Sequence, residues 1–272
     1  MSLSICSISS GSSGNSYLIK SKEGAILIDA GISASRIISG LKRAETEPSE
    51  VKAVFITHEH SDHVAGVRVL MKKIPNLQVF ASKGTLQMML QKGYFGTELE
   101  IDKNRMHIIT EGDEIDLCGL LVRAFPIIHD AIEPFGYCIN KGAKSISIVT
   151  DTGIFTESIL YNVLESDVIV IEANHDTEVL RQGSYPYYLK KRILSEEGHL
   201  SNMQAAKALC KILETSSKKR CVLLAHLSDE NNTPSLAENT VNTILAQNGY
   251  YTGSDLYVGV LLRDKQSYIY NI

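Results

Sequence analysis

Residues 54–67 read VFITHEHSDHVAGV, from Val54 through His58, His60, Asp62 and His63 to Val67. A short apolar run, residues 51–56, ends at Thr57, and the four candidate metal ligands follow at once. In extended backbone, side chains two apart share a face, so His58 and His60 can converge on one ion. Asp62 and His63 open a predicted helix, with Val64, Val67, Leu70 and Met71 at helical spacing. Neighbours at a helix start point in different directions, so this pair can reach a second ion beside the first. Imidazole with carboxylate suits zinc, manganese or iron. The helical zinc motif His-Glu-x-x-His is excluded, because position 62 is Asp. A polar loop rich in His and Asp by chance is the competing reading. Three of the chain's 8 histidines at one strand-to-helix junction speak against it.

Working outward, apolar segments keep ending on the same residue types. Residues 25–28 lead into Asp29-Ala30-Gly31, and 120–128 into His129-Asp130. Residues 145–149 lead into Thr150-Asp151-Thr152-Gly153, 167–171 into Glu172-Ala173-Asn174-His175, and 221–225 into His226. Repeated in this way, the pattern predicts a row of ligands along one edge of a sheet. Taken singly, Asp29 reads equally well as a helix cap or turn residue. His107 has no polar neighbour in sequence and reads as an ordinary surface or strand histidine.

The remaining elements are a strand over 3–8, a flexible Ser-Gly turn over 9–15 and a second strand over 16–19. Helices are expected over 33–41, 85–92, 156–164, 202–213 and 236–247, with strands at 77–81 and 256–262. The last helix opens with Ser235-x-x-Glu238, which has the form of a capping box. Residues 96–119 are polar and turn-rich, with short strands around His107 and Ile115. No repeat or linker interrupts the 272 residues, so a single domain over 1–272 is expected.

Apolar content of 44% and charged content of 21% are those of an ordinary globular protein. No segment is long and apolar enough to span a bilayer, and the N-terminus lacks a secretory pattern. The 5 cysteines are scattered among apolar neighbours and read as reduced thiols, so a cytoplasmic protein without a membrane partner is expected. The net charge of −4 argues against a broad basic binding face. It does not exclude a nucleic-acid substrate, since two divalent ions would make a pocket locally positive.

The run His58-Glu59-His60-Ser61-Asp62-His63 matches the H-x-H-x-D-H signature, and the chain resembles the metallo-β-lactamase fold superfamily. The resemblance implies an α/β fold of the four-layer αββα sandwich type. It also implies two divalent transition-metal ions, zinc or manganese, with iron an option. The implied first position is His58, His60, His129 and Asp151, and the second is Asp62, His63, Asp151 and His226. Asp29 would orient a ligand imidazole from behind. Asp151, where zinc β-lactamases of the cysteine-using type carry a thiol, would bridge two ions about 3.5–4 Å apart. That spacing activates a bridging hydroxide for attack at phosphorus or a thioester.

Glu172-Ala173-Asn174 and Gly198-His199-Leu200-Ser201-Asn202 resemble the Glu and His motifs of the RNase Z-like phosphodiesterase branch. They imply His199 as donor to a phosphoryl or leaving oxygen and Glu172 as its orienter, with Asp62 beside them as a catalytic carboxylate. The intervals from His129 to Asp151 and from Asp151 to His226 are too short for the tRNA-gripping arm or the β-CASP domain of larger members. Together with Ser10-Gly11-Ser12-Ser13-Gly14-Asn15, the motifs are most similar to the small YycJ (WalJ) family, which is associated with DNA exonuclease activity. The expected function is a two-metal phosphodiesterase acting on DNA from an end. The alternative is a thioester or lactone hydrolase of the glyoxalase II-like type, which would not need Glu172 and His199. A scaffold that binds metal without activity is disfavoured, because every ligand position is filled. In Gly183–Arg192, GSYPYYLKKR, the rings of Tyr185, Tyr187 and Tyr188 beside Lys190, Lys191 and Arg192 suit single-stranded nucleic acid. An exposed helix start with solvated cations is the competing reading, and His175 is either a pocket residue or a bystander.

Overall fold

A strand that is apolar on both faces needs cover on both sides, and most strands here are of that kind. The computed structural model describes residues 2–96 and 102–272. The chain opens with a meander of β1 (Ser4–Ser9), β2 (Ser16–Ser21) and β3 (Gly24–Ile28), antiparallel throughout. The sheet continues in parallel through β4 (Val51–Phe55), β5 (Gln78–Ala81) and β6 (Met106–Ile108). A second sheet begins with β7 (Glu114–Leu117), β8 (Leu120–Pro126), β9 (Phe135–Lys141) and β10 (Lys144–Val149), all antiparallel. It ends with the parallel strands β11 (Val168–Glu172), β12 (Arg220–Ala225) and β13 (Leu256–Val260). The chain then returns to the first sheet, where β14 (Tyr270–Asn271) pairs with β1.

Alternation along each strand sorts the apolar side chains into layers. Ile26, Ile28, Ala53 and Phe55 face inward and meet Tyr137, Ile146, Ile148, Val170 and Leu223 from the other sheet. Phe55 stacks on Phe80 with ring centroids 4.7 Å apart and meets Tyr137 edge-on at 5.7 Å. Leu27 and Val54 face outward, under α1 (Ala34–Arg43), α2 (Ser61–Val64), α3 (Val67–Lys73) and α4 (Lys83–Gln91). The second half of the chain carries α5 (Glu157–Val163), α6 (Thr177–Gln182), α7 (Tyr187–Ile193), α8 (Asn202–Thr215) and α9 (Pro234–Gln247). Of these, α5, α8 and α9 cover the outer face of the second sheet. The result is the expected αββα sandwich, and among the described residues no helix is long and apolar enough to cross a membrane.

Several expectations need correction. The acid- and histidine-tipped strand ends do not line one sheet edge. Asp29 follows a strand of the first sheet, whereas Glu172 ends and His129, Asp151 and His226 follow strands of the second, and they meet across the sandwich. The helix opened by Asp62 breaks at Ala65-Gly66 into α2 and α3. A Cβ on Gly66 would lie 2.1 Å from the Ile32 carbonyl oxygen, so the chain passes too close for a side chain there. The pattern Ser235-x-x-Glu238 is not the cap of α9: Thr233 accepts from the Leu236 N–H, and Pro234 takes the first helical position. The capping box lies instead at α8, between Ser201 and Gln204. The last strand is β14 rather than 256–262, and β9 and α6 were not anticipated. Of the turn-rich 96–119 segment, residues 97–101 lie outside the described residues. There His107 bonds Gln78 at 2.7 Å and stacks on Phe80, as an ordinary strand histidine does.

Candidate metal centre

The first sheet supplies its groups from one loop. After β4, Thr57 turns the chain, and its N–H donates to Asp29 Oδ1 at 2.8 Å. Asp29 Oδ2 accepts from His63 Nδ1 at 2.7 Å. Asp29 therefore does not cap α1, whose cap is Ser33. It sits at φ +61°, in the left-handed region that Asp tolerates better than most residues. Gly31 lets the two segments touch, because a Cβ there would lie 1.6 Å from the Asp62 carbonyl oxygen. The Ser-Gly turn closes the loop from above. Asn15 donates its backbone N–H to the same oxygen at 2.8 Å, and its side-chain nitrogen lies 3.1 Å from His63 Nε2.

The second sheet supplies its groups from separate strand ends. His129 follows β8, Asp151 follows β10, Glu172 ends β11, and His226 follows β12. Asp151 and His226 also have positive φ, +59° and +54°, and such backbone outliers collect at functional sites. Glu172 is fully buried, and its Oε1 accepts from Nδ1 of both His199 and His226 at 2.8 Å. Its Oε2 accepts from the backbone N–H groups of Thr152 and Leu200 at 3.1 Å. His129 Nδ1 donates to the Gly198 carbonyl at 3.1 Å.

In His63, His129 and His226, Nδ1 is thus the outward donor, which turns Nε2 toward a common space. There His63 Nε2 lies 3.3 Å from Asp151 Oδ2 and 3.4 Å from Asp62 Oδ2. His226 Nε2 lies 3.4 Å from Asp151 Oδ1 and 3.5 Å from Asp62 Oδ2. Two groups of ligand atoms form around this space: His58, His60 and His129, and Asp62, His63, Asp151 and His226. A third group, Asp151, Glu172, His199 and His226, overlaps the second. Nε2 of His58, His129 and His226 and Oδ2 of Asp151 are buried and have no hydrogen-bond partner among the described residues. Buried polar atoms left unpaired cost stability unless something else satisfies them. Convergent imidazole and carboxylate atoms in that state fit divalent ions.

The electrostatics divide the two groups. Burial pushes His58, His60 and His129 down, so their rings stay neutral with lone pairs free. Burial also opposes charge on His63 and His226. The carboxylates around them win, however, so that His63 is held well above the usual histidine range and His226 is raised to about 10. Asp62 and Asp151 are held well below the ordinary range despite burial, through His63 and His226. Glu172 is brought to about 2, its burial outweighed by His199 and His226. Without ions, the second group is therefore a cluster of carboxylates neutralised by protons on histidine, and cations would replace those protons.

Residues 25–226 match the family model of the β-lactamase superfamily domain. The chain is 40% identical over 253 residues to the exodeoxyribonuclease WalJ of Streptococcus pneumoniae, covering 93% of this chain and 90% of that protein. It is 34% identical to the exodeoxyribonuclease YycJ of Bacillus anthracis, covering 93% of each. The chain belongs to the WalJ/YycJ family of the metallo-β-lactamase fold. The solved structure of the metallo-β-lactamase fold protein YhfI from Bacillus subtilis aligns over 100% of both chains with a TM-score of 0.72. At 15% identity that likeness concerns the fold alone. Proteins of this fold bind divalent metals, and this chain brings His and Asp ligand atoms together in the groups above.

The other residues singled out in the sequence divide. His175 is buried beside Glu172 and His199 with both ring nitrogens unpaired, and burial lowers it to about 4. Tyr187 and Tyr188 on α7 are 82% and 73% exposed, Tyr185 is half-buried, and Lys191 is exposed. Lys190 is spent on the carbonyls of Arg181 and Gly183 at the end of α6, at 2.8 and 2.7 Å. Arg192 grips Asp130. Sequence reasoning missed Thr57, Ser10 and Asn15 as supports of the centre. Ser10 Oγ accepts the His226 N–H at 3.0 Å, so the Ser-Gly turn holds both halves. The signals for it were its place between the first two strands and the resemblance of Ser10–Asn15 to the family motif.

Proposed function

We propose that the protein is a two-metal phosphodiesterase that removes nucleotides from an end of DNA, with residues 1–272 acting as one hydrolase domain. The observation that carries this reading is Glu172, whose single Oε1 fixes both His199 and His226. His226 belongs to the second group of candidate ligands, and His199 stands beside it with Nε2 left for a substrate. A thioester hydrolase has no use for that second imidazole. The two relatives named exodeoxyribonuclease, matched over nearly their whole length, support DNA as the substrate.

His58, His60, His129 and Asp151 would hold one ion, and Asp62, His63, Asp151 and His226 the other, with zinc or manganese suited to this mixture. Bound there, the ions supply Lewis-acid polarisation of the phosphoryl group and activation of water. Asp62 is the more exposed of the second group's two carboxylates, 23% against 2% for Asp151, and would take the proton of the attacking water. As water oxygen bonds to phosphorus, the bond to the leaving oxygen breaks, and His199, carrying a proton on each ring nitrogen with Nδ1–H held by Glu172, passes its Nε2 proton to that oxygen. Asp29 keeps His63 oriented, and Glu172 does the same for His199 and His226. Outside the centre, Tyr187 and Tyr188 offer faces on which unpaired bases stack, and Lys191 offers charge for phosphates, while Arg192 is paired with Asp130. Tyr185, Lys190 and His175 would be further contacts for the substrate. All five cysteines are free, which supports a reducing, cytoplasmic setting.

The test is a turnover screen of chelator-stripped protein reloaded with zinc or manganese, on end-labelled DNA, end-labelled RNA and a small thioester. Metal-dependent shortening of DNA from an end is expected. Thioester turnover with the DNA left intact would sink the reading.

A further inference from the structure

Asp130 is a carboxylate that neither the signature nor the strand-end pattern assigns. It follows His129 in the loop after β8, and one segment of the chain holds both residues. The Asp130 N–H donates to the Glu197 carbonyl at 3.1 Å, and His129 Nδ1 donates to its neighbour Gly198 at 3.1 Å. From the last turn of α7, Arg192 binds the two oxygens of Asp130 through Nε and Nη2, the latter at 2.9 Å. A bidentate guanidinium fixes the plane of a carboxylate as well as its position.

Held in this way, Asp130 Oδ1 lies 3.3 Å from His129 Nε2 and 3.8 Å from His60 Nε2. Asp151 is farther from the same imidazole, its Oδ1 standing 4.0 Å from His129 Nε2. At the three-histidine group the nearest carboxylate is therefore Asp130. It lies on the open side, where its side chain and that of His60 are 28% and 26% exposed, while His129 is closed off at 1%. An ionised carboxylate has about four lone-pair sites, so Oδ1 can serve Arg192 and a cation together.

We propose that Asp130 is a further carboxylate of the ion held by His58, His60 and His129, and that Arg192 aims it. This rests on the reading of that group as a metal position. The added oxygen gives the group a more oxygen-rich donor set, which favours manganese relative to zinc. The pairing also ties the retention of one ion to the seating of α7, the helix that carries Tyr187 and Tyr188.

The test is calorimetric titration of chelator-stripped wild type, Asp130→Asn and Arg192→Ala with Mn²⁺ and with Zn²⁺, reading stoichiometry and each affinity. Asp130→Asn should weaken one of two ions by on the order of 10–100-fold, more for Mn²⁺ than for Zn²⁺, and leave the other unchanged. Arg192→Ala should weaken the same ion by less, because the carboxylate remains but is no longer aimed. Wild-type affinities for both ions in Asp130→Asn would overturn the proposal and reduce the pair to an anchor for α7, and so would equal losses at both ions. If Asp130→Asn does not fold, wild-type affinities in Arg192→Ala overturn it as well. Wild type that binds no ion at all would fail the metal-centre reading itself, a result separable from the others.

Discussion

The two halves of the centre are built by different means. The first-sheet half is one segment, residues 57–63, braced by Asp29 and Asn15 and shaped by local backbone contacts. The second-sheet half draws on the ends of β8, β10, β11 and β12, and no two of its groups are neighbours in sequence. In the first half, placement depends on a loop. In the second it depends on the register of a whole sheet, with Glu172 as the pin between strands. Asp151 joins the halves, since it faces His63 on one side and His226 on the other.

Asp151→Ala should therefore have the largest effect: turnover abolished, and both ions weakened together because both lose the same carboxylate. Metal analysis alongside a DNA turnover assay checks this. A variant that keeps both ions would break the claim that one residue joins the halves. Next in size is His199→Ala, which should keep both ions and the fold while DNA turnover falls by on the order of 10²–10³, the usual cost of one preorganised donor.

Glu172→Gln and Asp29→Asn set the two halves against each other directly. Each carboxylate orients imidazoles, and losing such a partner typically lowers metal affinity about 10–100-fold. Asp29 serves His63 alone, whereas Glu172 serves His226 and His199. Asp29→Asn should thus lower affinity with little further loss once metal is saturating. Glu172→Gln should lose both affinity and saturated turnover. Equal behaviour of the two variants would remove the distinction.

An effect of another kind is a dependence of the metal-free protein on pH. His226 stands at about 10 in the folded chain, against about 6.5 when unfolded. Its contribution is complete below about pH 6.5 and is lost as pH climbs toward 10, at no more than about 1.4 kcal/mol per pH unit. His58 and His129 are shifted the other way, so the first group weakens the fold only as pH falls below their unfolded value. Melting temperatures of chelator-treated protein should therefore drop on the alkaline side, and saturating metal should remove that slope. An alkaline slope that persists with metal bound would contradict the assignment.

What was legible in the sequence follows the same division. Residues 58–63 could be read because their geometry is local, alternation in extended chain followed by a helix start. The later ligands could be named only as strand ends, and a strand end does not show which sheet it belongs to. From sequence, therefore, the ends of two sheets read as one edge. Glu172 was legible as a partner of His199 but not as a shared partner, since His226 reaches it only through the pairing of β11 with β12. Asp130 sits in the pair His129-Asp130 and Arg192 in the basic run 190–192, but they are far apart in the chain and nothing in the sequence joins them. The break after α2 was hidden because Gly66 is demanded by a carbonyl of another segment, which helical periodicity does not register.

The most direct test of the joined centre is a crystal structure of the Mn²⁺-loaded or Zn²⁺-loaded protein, with the ions located by anomalous scattering. Two peaks are predicted, one among His58, His60 and His129 and one among Asp62, His63 and His226, with Asp151 between them. A single ion held by Asp151, Glu172, His199 and His226 would contradict the account, because His199 would then be a ligand and not the proton donor.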